Sequence, residues 1–219
     1  MALVKTSMAF ETMKGSMGQA VLFHGRSGLV FRRKPRYRRP TSPDQLLVTE
    51  RLQQASASWR ALGADQIDAW QAYARTIELR NATTGQSYSP IAFNAFIGLA
   101  TKILQIDPLA ELPEWPPAGP YLGDTVPIAV SPAPGAIVFT ASAANVPGTV
   151  TELLVQKLES IGRTPGKRYK SMAFVQFAEG ELTFEIQLEP GVYACAYRFT
   201  EAATGRTDVL HTMRKVVVP

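Results

Sequence analysis

The sequence predicts an α+β multidomain chain: an N-terminal extended basic arm with a β-hairpin, a small three-helix region, and a C-terminal antiparallel β domain. Three observations carry this. Cations crowd one early segment, apolar residues then recur at helical spacing, and beyond a proline-rich stretch the spacing changes to alternation. The divisions follow those changes: 1–41 for the arm and hairpin, 42–111 for the helices, 112–124 for the connector and 125–219 for the β domain.

The arm comes first. Between Thr12 and Pro43 there is no Asp or Glu. The same segment holds Lys14, Arg26, Arg32, Arg33, Lys34, Arg36, Arg38 and Arg39, eight cations that leave −3 for the rest of a chain whose net charge is +5. Basicity confined to one segment is the pattern of an interaction arm. Residues 1–18, rich in Met and Gly, read as a flexible strand or one ordered by a partner. Gln19 to His24 and Leu29 to Arg33 are β-prone runs around Gly25-Arg26-Ser27-Gly28, which predicts a hairpin. A lone hairpin is marginal in water, so this one is expected to lie on another sheet or subunit. Lys34 to Pro40 should be extended, because Pro35 and Pro40 fix φ and bias the residues before them.

The first helix opens with Ser42 as N-cap, Pro43 at the first helical position and Gln45 closing a capping box. Val48, Leu52, Ala55, Trp59 and Leu62 follow at spacings of four, three, four and three, one apolar stripe. Gly63 ends it. A second helix over about 65–79 carries Ile67, Trp70, Tyr73 and Ile77 on one face. Residues 81–87 are turn chemistry. Ser89-Pro90 opens a third helix bearing Phe93, Ile97, Ala100 and Leu104. A core this small contributes only a few kcal/mol, so support from a neighbour is expected.

Leu112 to Pro120 reads as a stiff connector of polyproline character, with Trp115 a packing residue at the junction. Strands are predicted at 126–130, 136–141, 150–157, 168–177, 182–188, 192–201 and 207–218. Turn signals separate them, among them Pro132-Ala133-Pro134-Gly135, Pro147-Gly148, Glu179-Gly180 and Thr204-Gly205. Seven short strands in about a hundred residues predict an immunoglobulin-like or fibronectin-like β-sandwich, without the cysteine pair of antibody domains.

The residues offer little chemistry. Cys195 is the one cysteine, so no intrachain disulfide forms, and its apolar surroundings predict a buried, inert thiol. His24 and His211, in different parts of the chain, with one Cys are too few for a zinc site; no cofactor is expected. His24 reads as a solvated hairpin residue and His211 as a strand residue. There is no nucleophile elbow, P-loop or dinucleotide fingerprint. Thr164-Pro165-Gly166-Lys167 reads as a turn. Glu179, Glu181, Glu185 and Glu189 alternate with apolar residues and read as a solvated sheet face. No stretch reaches the length of a membrane span, and none reads as a signal peptide.

Two partners suit the arm, and a solvated, mobile charged linker with neither is the remaining reading. Arg26, Arg32, Arg33, Lys34, Arg36, Arg38 and Arg39 could meet phosphates, with Tyr37 stacking on a base. They could equally pair with carboxylates of a protein surface, Arg doing so bidentately. The prolines pre-order the arm and no nucleic-acid fold stands behind it, which favours protein.

The runs Lys14 to Gly18, Val30-Phe31-Arg32 and Arg39 to Gln45 resemble a group of uncharacterised phage and prophage proteins. Trp59-Arg60-Ala61-Leu62, Gln66 to Trp70, Ala72-Tyr73 and Asn94-Ala95-Phe96 extend the resemblance in order. It is strongest over 14–100 and loose after 120, and Gly63-Ala64-Asp65 departs from it where similar proteins place a better N-cap. The resemblance implies a non-enzymatic virion structural protein, a capsid-associated minor or decoration protein made in the host cytoplasm. The expected partners are other virion proteins, the major capsid protein first; self-association and nucleic acid stay open as further partners, and no membrane is expected. The alternatives are a nucleic-acid-binding protein and an adhesion or carbohydrate-binding module.

Overall fold

The computed structural model describes residues 2–3, 15–25, 28–34, 42–80 and 85–219. The chain divides into two compact units, Met1–Leu46 and Leu47–Pro219. It is an α+β, β-rich protein with three helices and several antiparallel sheets among the described residues.

The first unit holds β1 (Ala2–Leu3), β2 (Gly15–Met17), β3 (Ala20–Gly25) and β4 (Gly28–Arg33), in the order β1-β4-β3-β2. β3 and β4 are the expected hairpin, in register from Ala20↔Arg33 to Gly25↔Gly28. The hairpin does not wait for a foreign sheet. β1 pairs with β4, and β2 pairs with β3 through a two-residue turn in which Gly18 takes φ 59°. A side chain at that φ would be strained, so glycine fits there. Residues 2–3 and 15–17, expected to be flexible or partner-ordered, are thus strands on their own chain, because the hairpin's open edges offer them unpaired N–H and C=O groups. The parts of that expectation covering 4–14 and 35–41 lie outside the described residues, as does the hairpin turn at 26–27; the reading of His24 as solvated lies outside the described side chains.

α1 (Pro43–Ala61), whose first four residues fall in the first unit, starts as predicted. The Gln45 N–H donates to Ser42 Oγ at 3.2 Å and the Ser42 N–H to Gln45 Oε1 at 3.4 Å. α2 (Ala64–Thr76) opens with the Gly63 N–H on Gln66 Oε1 at 2.7 Å. It ends earlier than predicted, because Ile77 turns extended at φ −86°, ψ 123°. β5 (Leu79–Arg80) and β6 (Ser87–Tyr88) then form a small ladder that the turn reading did not anticipate. α3 (Ala92–Ile106) follows, with Ile91 as its N-cap residue.

The helices meet around Ala55, Trp70, Phe96, Ala100 and Leu104. Trp59 packs against Phe96 with ring centroids 5.4 Å apart, and Trp70 meets the same ring edge-on at 5.1 Å. The predicted α1 stripe is therefore only half used. Ala55, Trp59 and Leu62 join this core, whereas Val48 and Leu52 are exposed. In α3 the buried face runs through Phe96, Ala100, Ile103 and Leu104, leaving Phe93 at the rim.

The remaining strands are β7 (Ile128–Ala133), β8 (Ala136–Ala141), β9 (Thr149–Leu158), β10 (Lys170–Val175), β11 (Thr183–Gln187), β12 (Gly191–Glu201) and β13 (His211–Val218). They form two antiparallel sheets, β11-β8-β7 and β10-β9-β12-β13. Both contribute to one core, with Ile137, Phe139 and Ile186 from the first and Leu153, Val155, Cys195 and Phe199 from the second. Phe177, from the loop after β10, closes it.

The segment read as a turn at Pro132-Ala133 is instead the end of β7, and the chemistry permits it. The Val130 carbonyl accepts hydrogen bonds from Arg214, so alternation turns Pro132, two residues on, away from β8 as well. A residue without an N–H costs nothing on that side. β13 is bulged where its register against β12 shifts between Ala194 and Ala196, which aims Arg214 at β7.

Helices and sheets of the second unit are fastened at several points. Gly205, in the turn after β12, has φ 72°, and a Cβ there would lie 2.4 Å from the Leu99 carbonyl oxygen of α3. The proline-rich segment is bonded along its length. The Trp70 indole donates to the Glu114 carbonyl at 3.0 Å, and Arg206 Nη1 donates to the Gly119 carbonyl at 2.5 Å. Asp124 accepts the Val146 N–H at 3.0 Å and the Asn145 amide at 3.1 Å. The junction tryptophan is thus Trp70; Trp115, expected to pack, is 54% exposed.

Candidate functional site

The described part of the basic arm lies at the end of β4. Arg32, Arg33 and Lys34 are all exposed there. Successive strand residues face opposite sides, so Arg32 and Arg33 put one guanidinium on each face of the first unit's sheet. Arg32 sits over the Phe23 ring, 5.0 Å from its centroid, a cation–π contact that fixes the side chain without neutralising it. Arg33 Nη2 reaches Gln19 Oε1 at 3.5 Å, and the Lys34 N–H donates to the Gln19 carbonyl at 2.6 Å. Among the described residues no carboxylate pairs with these three cations. Arg26, Arg36, Tyr37, Arg38 and Arg39 lie outside the described residues.

Sequence reasoning missed a second charged constellation. Glu152 of β9 is completely buried, yet Lys102 Nζ of α3 contacts both its oxygens at 3.1 Å and Arg198 Nε of β12 donates at 2.5 Å. Burial alone would raise its pKa, but the Arg198 hydrogen bond and the Lys102 charge hold the carboxyl below its usual range. Lys102 also lies over the Phe174 ring at 5.2 Å. A carboxylate so engaged has no lone pair aimed at an open space. The arrangement is a fastening between α3 and the sheet, with the chemistry of neither an acid nor a base.

Three further groups are also held by burial or by their neighbours. Burial pushes the Cys195 thiol up to about 12, the inert state expected for it. His211, the first residue of β13, stacks on Tyr197 at 4.9 Å and shares a 2.8 Å hydrogen bond between Nε2 and Asp208 Oδ2. Asp208 Oδ1 accepts the Phe199 N–H at 2.7 Å, so the pair ties a turn to its flanking strands. Glu201 is engaged by Arg206 Nη2 at 2.8 Å and by the Thr204 hydroxyl; burial opposes its ionisation, and these bonds still keep its pKa low. Among the described residues no three of His, Cys, Asp and Glu are grouped to hold a metal, and no helix is long and apolar enough to cross a membrane.

The exposed apolar side chains of α1 are a further surface. Leu46, Leu47, Val48 and Leu52 are each 45–59% exposed within two turns. Glu179, Glu181, Glu185 and Glu189 are exposed around β11, as the alternation predicts, and Glu189 pairs with Lys157 at 2.9 Å.

No family model matches the chain, and no match was found among curated proteins. Among solved structures it is similar to a family 76 glycoside hydrolase from a bovine Bacteroides thetaiotaomicron strain, at 11% identity and a TM-score of 0.34. The match covers 45% of this chain and 20% of that one, so the chain spans about a fifth of that structure's length. A likeness at this level carries no argument about fold or activity.

Proposed function

We propose that this chain is a non-enzymatic bacteriophage virion structural protein: a capsid-associated minor or decoration protein held to the shell by its basic N-terminal arm. The observation that carries the reading is the exposed trio Arg32, Arg33 and Lys34, set on both faces of a small sheet without a described carboxylate partner. An acidic protein surface, with the major capsid protein as first partner, satisfies those guanidinium groups bidentately. The apolar overhang of α1 supports the same reading, since apolar side chains left together in solvent mark contact surfaces.

In this proposal the β region is an immunoglobulin-like or fibronectin-like sandwich. Support comes from its three-plus-four strand arrangement, β11-β8-β7 facing β10-β9-β12-β13 over a shared core. The engaged state of Glu152, Cys195 and the His211–Asp208 pair supports a role without catalysis.

The test is co-sedimentation of the full chain with purified phage shells, alongside binding to random duplex DNA over a salt series. Wild type should pellet with shells, and a variant with Arg32, Arg33 and Lys34 changed to Glu should stay in the supernatant. Tight DNA binding that collapses with salt, with no shell binding, would overturn the capsid reading in favour of nucleic acid.

A further inference from the structure

The β11 edge of the β region is acidic, and a group of cations stands along β13 and the loop before β10. β11 is the edge of its sheet on one side. The Ala141 N–H donates to the Leu182 carbonyl at 2.8 Å and the Leu188 N–H to the Gly135 carbonyl at 2.9 Å. By alternation the backbone groups of Thr183, Glu185 and Gln187 turn away from β8. Glu185 is exposed on this strand, with Glu179 and Glu181 exposed just before it. On the opposite side lie β7 and β13, the other edges of the two sheets. Arg214 and Lys167 are exposed there, and Lys215 is half-buried beside them.

The hydrogen bonds of these cations leave their charge standing. Arg214 donates through Nε at 3.1 Å and Nη2 at 2.7 Å to the neutral Val130 carbonyl, and Lys215 Nζ donates to the neutral Ile161 carbonyl at 2.7 Å. The nearby anion, Asp208, is taken up by His211 and the Phe199 N–H. Two hollows flank β13. One, of about 590 Å³, lies between β7 and β13 with Ile128, Val130, Tyr197 and Arg214 in its wall. The other, of about 540 Å³, joins Lys167, Tyr169, Leu210 and Lys215.

We propose that the acidic β11 edge of one copy docks on the Arg214–Lys215–Lys167 side of a second copy, a head-to-tail contact of the chain with itself. The two surfaces differ, so the contact is heterologous and generates rows or rings. Its complementary charge fits Glu181 and Glu185 to the hollows beside β13. The bulge in β13 and Pro132 in β7 exclude a continuous backbone ladder, so side chains carry the contact and isolated pairs are weak and salt-sensitive. On a surface that already holds many copies, multivalency makes such a contact count. The contact does not depend on what the arm binds.

Sedimentation equilibrium of the full chain at about 20 mM and about 500 mM salt tests this. Wild type should associate in a concentration-dependent way at low salt and return towards monomer at high salt. Glu185→Lys and Arg214→Glu should each weaken association about 10-fold or more. An equimolar mixture of those two variants, or the chain carrying both, should recover it. A variant with Arg32, Arg33 and Lys34 changed to Glu should associate like wild type. Glu185 is exposed and accepts a hydrogen bond from the adjacent Gln187 side chain, so Glu185→Lys spares the core and remains decisive if Arg214→Glu fails to fold. A monomer at low salt throughout, unchanged association in Glu185→Lys, or loss of association in the arm variant would each overturn the contact.

Discussion

The helical cluster and the β core solve the same problem differently. The β core closes on itself, with Ile137, Phe139, Leu153, Phe177, Cys195 and Phe199 drawn from both sheets and the loop after β10 and excluded from water. The helical cluster is small, and α1 contributes a single fully buried residue, Ala55. What the helices lack in buried area they replace with polar and steric fastenings to the β region and the connector: Lys102 on Glu152, Leu99 against Gly205, and Trp70 on Glu114. A short helical segment next to a sheet therefore need not be a domain. Its order can rest on a few directed contacts, each removable by one substitution.

Glu152 should give the largest effect. Glu152→Ala leaves Lys102 and Arg198 facing each other without the carboxylate, and breaking a buried pair in this way costs about 3–5 kcal/mol. All three tryptophans lie outside the β strands, so indole fluorescence follows the helical segment and its connector while far-UV circular dichroism near the β signal follows the sheets. In wild type the two probes should melt together, and in Glu152→Ala fluorescence should change first. Coincident melts in the variant would refute the claim that this carboxylate couples the two regions. The pH dependence has a defined sign. The folded pKa of Glu152 is depressed, so its stabilisation is complete above the unfolded carboxylate value and is lost as pH falls through the folded one. Denaturant midpoints of wild type should fall across that acid range, and those of Glu152→Gln should fall less.

Gly205→Ala comes next. The added methyl would meet the Leu99 carbonyl at 2.4 Å and force a left-handed backbone on alanine, so either α3 or the turn must move. A loss of about 1–3 kcal/mol is expected, measured by chemical denaturation, with the fluorescence probe again more affected. Equal shifts in both probes would place the strain in the strands instead.

Some of this was legible in the residues and some was not, for definite reasons. All seven strands beyond the connector were anticipated, by the turn signals between them and, where one face is buried as in β11, by a period of two. The ends of β7 were misread because Pro132 looks like a turn signal; only the sheet order reveals that its nitrogen faces no partner. Glu152 sits 50 residues from Lys102 and 46 from Arg198, so no local spacing announces the clasp. In sequence it passes for a solvent-facing residue beside Leu153. The basic arm was legible as composition, but its setting over Phe23 follows from strand register, which composition does not contain.

Trp70→Phe is a smaller test of the same contrast. It keeps the aromatic contact with Phe96 and removes one hydrogen bond, leaving the Glu114 carbonyl without its indole donor. A loss of about 1 kcal/mol is expected. A much larger loss in denaturant melts would mean that the connector, rather than the clasp at Glu152, holds the helices in place.

The smallest effect on stability should come from the overhang of α1. Val48 and Leu52 continue the stripe of Ala55 and Trp59 by two turns, yet they are exposed and stand outside the helical core. Replacing both with Ser should change stability within about 0.5 kcal/mol, because both side chains are exposed. If the overhang meets the shell as proposed, the same substitution should weaken co-sedimentation with shells. A variant that loses stability would show the overhang to be core after all. One that keeps both stability and shell binding would assign the anchoring to the arm's cations alone.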